Sequence, residues 1–119
     1  MSGYEGLQVG QHDGVTVVEL DTALLERNEV LDFVDSLIAF VETEQPAKLL
    51  IDFRKVTRFS SEAIGGLIRA NRRILGYNGK LKLCGMSPLV RMVFGISRLD
   101  GTVFTIHDAA SDAVAAFQA

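Results

Sequence analysis

The sequence has few of the features that mark a disulfide-stapled or membrane-spanning chain. Its 119 residues include one cysteine, two prolines and no tryptophan. Because Cys84 has no second cysteine to pair with, an internal disulfide is excluded. No apolar run approaches the roughly 18 to 20 residues that span a bilayer. We therefore expect no direct insertion into a membrane.

The sequence also lacks a surplus of positive charge. Lys and Arg number 12 against 15 Asp and Glu, which gives a formal net charge of −3 and argues against general binding to nucleic acid or anionic lipid. The N-terminal segment MSGYEGLQVG has neither the basic start nor the apolar stretch of a secretory signal, so a cytoplasmic location is expected. A length of 119 residues and 48% hydrophobic content predict one domain over 1–119.

A β-hairpin is predicted at the start of the chain. In the segment LQVGQHDGVTVVEL, Asp13 and Gly14 separate two runs that are rich in Val and Leu. An Asp-Gly pair supplies the positive φ angles of a tight two-residue turn. We expect strands over about 7–12 and 15–20.

Helices and strands are predicted to alternate after the hairpin. Apolar residues at spacings of three and four predict helices, and short apolar runs between polar residues predict strands. The predicted elements are, in order, a helix over 28–43, a strand over 49–53, a helix over 61–76, a strand over 80–85, a helix that begins at Pro88 with Ser87 as its N-cap, a strand near 102–106 and a helix over 110–117. Crossovers of this length make parallel strands. The prediction is an α/β fold: a mixed sheet of four or five strands that opens with a β-hairpin and is covered by about four helices, the two longest on one side.

No constellation of catalytic or metal-binding residues stands out. His12 and His107 lie far apart without a metal-ligand spacing, which favours exposed loop histidines, and Cys84 lies in an apolar strand, which favours a buried hydrophobe. Gly65 and Gly66 lie inside a predicted helix instead of in a phosphate-binding loop, so close helix packing explains them better. The sequence predicts a protein that is not an enzyme and holds no metal or cofactor.

Two segments, KLLIDFRKVTRFSSEAIGGLIRA and NGKLKLCGMSPLVRMVFGISRLDGTVFTI, carry a resemblance to a known family. They contain a strand that ends in Asp52, a hydrophobic residue followed by Thr57, a serine that opens the next helix, and a Gly-Gly-Leu segment. Together these features resemble the STAS family over essentially the whole chain. STAS domains occur in bacterial anti-sigma factor antagonists, in stressosome subunits and in the cytoplasmic tails of sulfate transporters.

The resemblance implies a phosphorylation site at the start of the second long helix. In the antagonists the motif typically reads Asp-Ser-Ser/Thr-Gly-Leu-Gly, and its first serine is phosphorylated by a kinase that is also the anti-sigma factor. Alignment through Gly65 places that serine at Ser61. This sequence departs from the motif at Ser60, where aspartate is usual, and at Glu62, where a small hydroxyl residue is common. We expect Ser60 to cap the helix and the Ser61 hydroxyl to face outward.

The implied function is that of a non-enzymatic antagonist in a bacterial stress response, which binds an ATP-binding anti-sigma serine kinase and so releases a sigma factor. A phosphatase is a candidate for a second partner, and binding to nucleic acid is not expected. Two alternatives share the fold: a STAS subunit of a lipid-transport ATPase complex, and a stressosome scaffold subunit. The residues expected to face the partner are Arg58, Ser60, Ser61, Glu62, Gly65 and Arg69.

Overall fold

The computed structural model describes residues 7–20, 24–25, 27–59, 61–96 and 103–118. Strands and helices alternate along these ranges. The elements are β1 (Leu7–His12), β2 (Val15–Leu20), β3 (Leu24–Leu25), α1 (Arg27–Glu44), β4 (Lys48–Asp52), β5 (Arg58–Phe59), α2 (Ser61–Gly76), β6 (Lys80–Cys84), α3 (Pro88–Ile96), β7 (Thr105–His107) and α4 (Ala110–Gln118).

The predicted hairpin is present with the predicted bounds. β1 and β2 pair antiparallel from Leu7 opposite Leu20 to His12 opposite Val15. Asp13 (φ 50°) and Gly14 (φ 80°) form the turn, and both have the positive φ that a type I′ turn requires. The turn matches the right-handed twist of the two strands, so this dipeptide fixes their register.

The main sheet is mixed and has five strands in the order β1-β2-β4-β6-β7. β2 pairs parallel with β4, β4 with β6, and β6 with β7. The register aligns Val18, Ile51, Leu83 and Ile106 across the four parallel strands, and all four are buried. The predicted α/β fold, with its hairpin start, is confirmed.

The two faces of the sheet build two apolar clusters of different size. Since successive residues of a strand point to opposite faces, Leu49 and Ile51 join the large cluster with α1, α2 and α3, while Leu50 joins the small one. Val15 and Cys84 belong to the small cluster, which α4 covers with Ala113, Val114 and Phe117. The two longest helices therefore share one face of the sheet, as predicted.

The start of α3 follows the predicted chemistry. The Oγ of Ser87 accepts a hydrogen bond from the backbone N–H of Val90 at 3.2 Å, and Pro88 is the first helical residue. A serine N-cap satisfies one of the amide groups that have no partner within the helix. The prediction of this cap is confirmed.

Some details differ from the sequence prediction. The apolar spacing of the helix over 61–76 predicts Leu75 on its inner side, but Leu75 is 58% exposed, so that prediction is wrong. The last strand, predicted near 102–106, is Thr105–His107. Phe104, just before it, is buried with its ring edge-to-face against the Phe94 ring, and the ring centroids are 5.9 Å apart. The sequence did not predict β3 and β5, since two residues are too few for a periodic pattern.

Candidate functional site

A short connection from the sheet to α2 determines where Ser61, the predicted phosphorylation site, lies. After β4, the N–H of Phe53 bonds to the carbonyl of Cys84 at 2.9 Å, and the N–H of Val56 bonds back to the carbonyl of Phe53 at 2.9 Å. This turn leads into β5, which pairs parallel with Leu24–Leu25. α2 then begins at Ser61, near the carboxyl ends of the parallel strands.

The sequence-predicted residues around this point fall on two elements. Arg58 lies in β5, and Ser61 is the first residue of α2, as expected. Ser60 lies outside the described residues, so its role as N-cap stays a prediction. Glu62 is exposed in the first turn of α2.

One side of α2 is solvent-exposed, and we call its four residues the α2 outer face: Glu62, Gly65, Arg69 and Arg72. Their spacing of three, four and three residues places them along one side of the helix. The sequence predicts the first three for partner contact; Arg72 was not among the predicted residues, but the same spacing places it on this side of the helix. Within the part of the chain that the structure describes, Arg69 and Arg72 make no ion pair.

The two glycines of α2 have different surroundings. A Cβ added to Gly66 would overlap the side chain of Val34 in α1, whereas a Cβ added to Gly65 would meet nothing within 4 Å. Close packing of α1 on α2 therefore explains Gly66, as the sequence analysis expected. It does not explain Gly65, which is exposed and weakens the helix by about 1 kcal/mol relative to alanine.

The N-terminus of α2 is electrostatically suited to a negative group. The first amide groups of a helix have no partner within it, and the helix dipole places partial positive charge there. A phosphate carries about −1.5 to −2 charges at pH 7, and a helix N-terminus favours such a group. Glu62 already contributes one carboxylate to this turn.

Asp52, the acidic residue of the sequence motif, has a structural role. Its side chain is buried, accepts a hydrogen bond from the backbone N–H of Arg54 at 3.0 Å and a second from Arg54 Nε at 2.8 Å. Gly85 lies against it, with a φ of +73°, and a Cβ there would be 2.5 Å from Asp52 Oδ1. Asp52 therefore fixes the bend between β4 and β5.

Arg54 links Asp52 to a carboxylate on β2. Its Nη2 lies 2.8 Å from Glu19 Oε2, and Lys55 Nζ lies 3.1 Å from the other oxygen of Glu19. The hydrogen bond from Lys55 is the main cause of a lowered pKa of Glu19, and the charge of Asp52 is the main cause of a raised pKa of Arg54. The cluster connects β2 to the segment that leads to α2.

A groove of about 440 Å³ lies on the sheet face opposite to α2. Residues of β1, β2 and α4 line it, together with Asp52 and Arg54. None of the residues predicted to face a partner takes part in its wall. The groove and the α2 outer face are therefore separate surfaces.

Cys84, His12 and His107 are the cysteine and histidine side chains of the described ranges. Cys84 is buried, and the loss of hydration raises the pKa of its thiol to about 12, which keeps the sulfur protonated. His12 is exposed, as expected, but His107 is half-buried and its Nε2 is buried without a hydrogen-bond partner, so the expectation of an exposed loop residue is wrong for His107. Among the described residues, no group of three His, Cys, Asp or Glu side chains is placed to hold a metal ion.

None of the helices in the described ranges has the length and apolar character to cross a membrane. That finding concerns the described residues alone.

The chain matches a known protein family, and its fold matches that of several solved structures. A family model described as "Mlab, STAS domain" matches residues 7–106. A comparison with curated protein sequences finds no match. An anti-sigma-factor antagonist (STAS) domain protein from Planctomyces limnophilus is 27% identical, with a TM-score of 0.83 over 95% of this chain and 98% of that one.

Two further structures share the fold at lower identity. An anti-sigma factor antagonist from Mycobacterium paratuberculosis is 22% identical, with a TM-score of 0.83 over 95% of this chain and 93% of that one. The Bacillus cell fate determinant SpoIIAA in its phosphorylated form is 18% identical, with a TM-score of 0.68 over 95% and 99%. Since the family model covers residues 7–106, the chain belongs to the STAS domain family.

Proposed function

We propose that the chain, as one domain over 1–119, is an anti-sigma factor antagonist: a non-enzymatic domain that binds an ATP-binding anti-sigma serine kinase and so releases a sigma factor. The similarity to the Planctomyces protein, whose description names an anti-sigma-factor antagonist, supports this general kind of function. The proposed phosphoacceptor is Ser61, the first residue of α2.

The exposed Gly65 is the observation that carries the proposal. A glycine inside an exposed helix lowers its stability, and no atom in the described part of the chain lies close enough to Gly65 to exclude a side chain there. A partner whose backbone lies close to α2 would leave no room for a side chain at this position, and would therefore require glycine. Gly65 lies one turn beyond Ser61, so such a partner would also cover the proposed phosphorylation site.

A phosphate at Ser61 then has different effects on the free and the bound protein. In the free domain it lies at a helix N-terminus, which tolerates negative charge. In a complex the same charge must lose hydration or meet a like charge. Phosphorylation is therefore proposed to end binding without unfolding the carrier.

A second candidate, permanent docking on an ATPase of a lipid-transport complex, is favoured by Glu62. This carboxylate in the first turn of α2 opposes a second negative group beside it, whereas a permanent contact needs no phosphate. The stressosome scaffold is the third alternative.

Capture from an extract of the source cells separates these candidates. The immobilised chain is expected to retain an ATP-binding serine kinase, and Gly65→Ala is expected to retain at least tenfold less of it while staying folded. Gly76→Ala is the matched control, because Gly76 is also an exposed glycine of α2 with open space around it. Retention of a permease-associated ATPase in place of a kinase would replace the proposal with the second candidate.

A further inference from the structure

The strand at one edge of the main sheet has an unusual exposed surface. β1 is the first strand in the order β1-β2-β4-β6-β7, and it pairs only with β2 among the strands that the structure describes. Leu7 is buried, but the next five residues, 8–12, are all exposed. Gly10 lies at the centre of this exposed run.

Among the residues that the structure describes, this edge lacks the devices that normally keep sheet edges from pairing. Natural edge strands are short, or they carry charged residues, proline or a bulge. β1 has six residues, LQVGQH, without proline, lysine, arginine or a carboxylate, and Val9 is 37% exposed. The opposite edge, β7, has three residues and is protected by its shortness.

The hairpin turn determines which backbone groups point outward. In a hairpin with a two-residue turn, the residues that flank the turn exchange both hydrogen bonds, and such pairs alternate along the ladder. His12 and Val15 flank this turn, so His12, Gly10 and Gln8 bond to β2. The N–H and C=O groups of Val9 and Gln11 therefore point away from the sheet.

We propose that β1 pairs antiparallel with β1 of a second copy of this chain and joins two sheets into one of ten strands. Pairing about a two-fold axis at the centre of the exposed run places Gly10 opposite Gly10 of the other copy, and Val9 opposite Gln11. The outward groups of Val9 and Gln11 then make four hydrogen bonds across the axis. Because no carboxylate, lysine or arginine occurs in the strand, no like charges meet, and a second copy offers a complementary edge.

This inference goes beyond the proposed function and is independent of it. With the axis perpendicular to the sheet, the strands of the second copy run in the opposite direction, so its Ser61 lies at the other end of the joined sheet. The rotation leaves α2 of both copies on the same face of the joined sheet, and the two α2 outer faces point away from that face, so each remains open to its own partner. Phosphorylation at Ser61 is therefore expected to leave the dimer unchanged.

Sedimentation equilibrium of the full chain at 1–500 μM tests the association. The weight-average mass is expected to rise above 13.0 kDa toward twice that value. Val9→Lys introduces a charge at the edge, and Val9→Pro removes an outward N–H without breaking the ladder to β2. Each is expected to weaken dimerisation at least tenfold while the circular dichroism spectrum stays unchanged. Val103→Lys, at an equally apolar exposed position away from the edge, is expected to behave as the parent.

Cross-linking tests the proposed register. Opposed residues whose backbone groups point away from each other have Cα atoms about 4.5 Å apart, within the range of a disulfide. Oxidised Gly10→Cys is therefore expected to run as a covalent dimer, whereas Gly76→Cys should not, and the buried Cys84 should not react. A parent chain that stays monomeric at 500 μM, or a dimer that survives both Val9 substitutions, would overturn the proposal whatever the kinase experiments show.

Discussion

Gly66 of α2 lies so close to Val34 of α1 that a Cβ on this glycine would overlap the Cγ2 methyl of the valine. The neighbouring Gly65 lies on the exposed side of the same helix, and a Cβ added there would meet open space. The distance between the two long helices therefore depends on the absence of one side chain. Gly66 allows α1 and α2 to pack closely, whereas Gly65 lies at the surface, where a partner could contact it.

The first prediction uses this difference. Gly66→Ala is expected to lower the free energy of unfolding by about 1–3 kcal/mol, because the added methyl must displace Val34 or α1. Val34→Ala in the same chain is expected to recover part of that loss, since it removes the methyl groups that clash. Urea titrations of the two single variants and the double variant measure the coupling. Simple additivity of the two losses would contradict the packing account.

The second prediction is the matched substitution at the neighbouring position. Gly65→Ala is expected to raise the free energy of unfolding by about 0.5–1 kcal/mol, since alanine is the better helix former and the added Cβ meets open space. The same urea titration measures it. A loss of stability would show that Gly65 has a structural role within the domain.

The third prediction concerns the bend after β4. In Asp52→Asn an amide replaces a buried carboxylate that accepts hydrogen bonds from Arg54 N and Arg54 Nε. The NH₂ group must then face one of these donors, so we expect a loss of about 1–3 kcal/mol. Thermal unfolding followed by circular dichroism measures the loss. An unchanged midpoint would mean that Asp52 does not hold the bend.

The fourth prediction is a pH dependence that comes from His107. Loss of hydration, followed by the charge of Lys82, lowers the pKa of His107 below its ordinary 6.5 in the folded state. The unfolded chain therefore binds the proton first, so stability falls as the pH drops below about 6.5 until the folded state is protonated as well. His107→Gln does not titrate, so its free energy of unfolding should change less between pH 7 and pH 5.5. Equal slopes for the parent and the variant would refute this role.

Much of the fold could be predicted because its signals are local. Asp13 and Gly14 determine the hairpin turn, and Ser87 with Pro88 determines the start of α3. These residues act through their own φ angles and hydrogen bonds, so neighbouring sequence is sufficient. The register of β1 on β2 follows from the turn alone.

The features that could not be predicted depend on contacts distant in sequence. Arg54 meets Glu19 across 35 positions, and no local pattern indicates this pair. The difference between Gly65 and Gly66 depends on how α2 is rotated against Val34, which the sequence leaves open. β5 has two residues and is held by pairing with β3, so it carries no periodic signal.

Binding of the captured kinase by Ser61 variants tests the central claim most directly. Calorimetric titrations compare the parent, Ser61→Ala and Ser61→Asp, and mass spectrometry locates the phosphate after incubation with the kinase and ATP. We predict one phosphate, on Ser61 of the parent. Ser61→Ala should stay unmodified and bind like the parent, and Ser61→Asp should bind roughly thirtyfold more weakly, equivalent to about 2 kcal/mol. A phosphate on Ser60, or Ser61→Asp binding as tightly as the parent, would contradict the account.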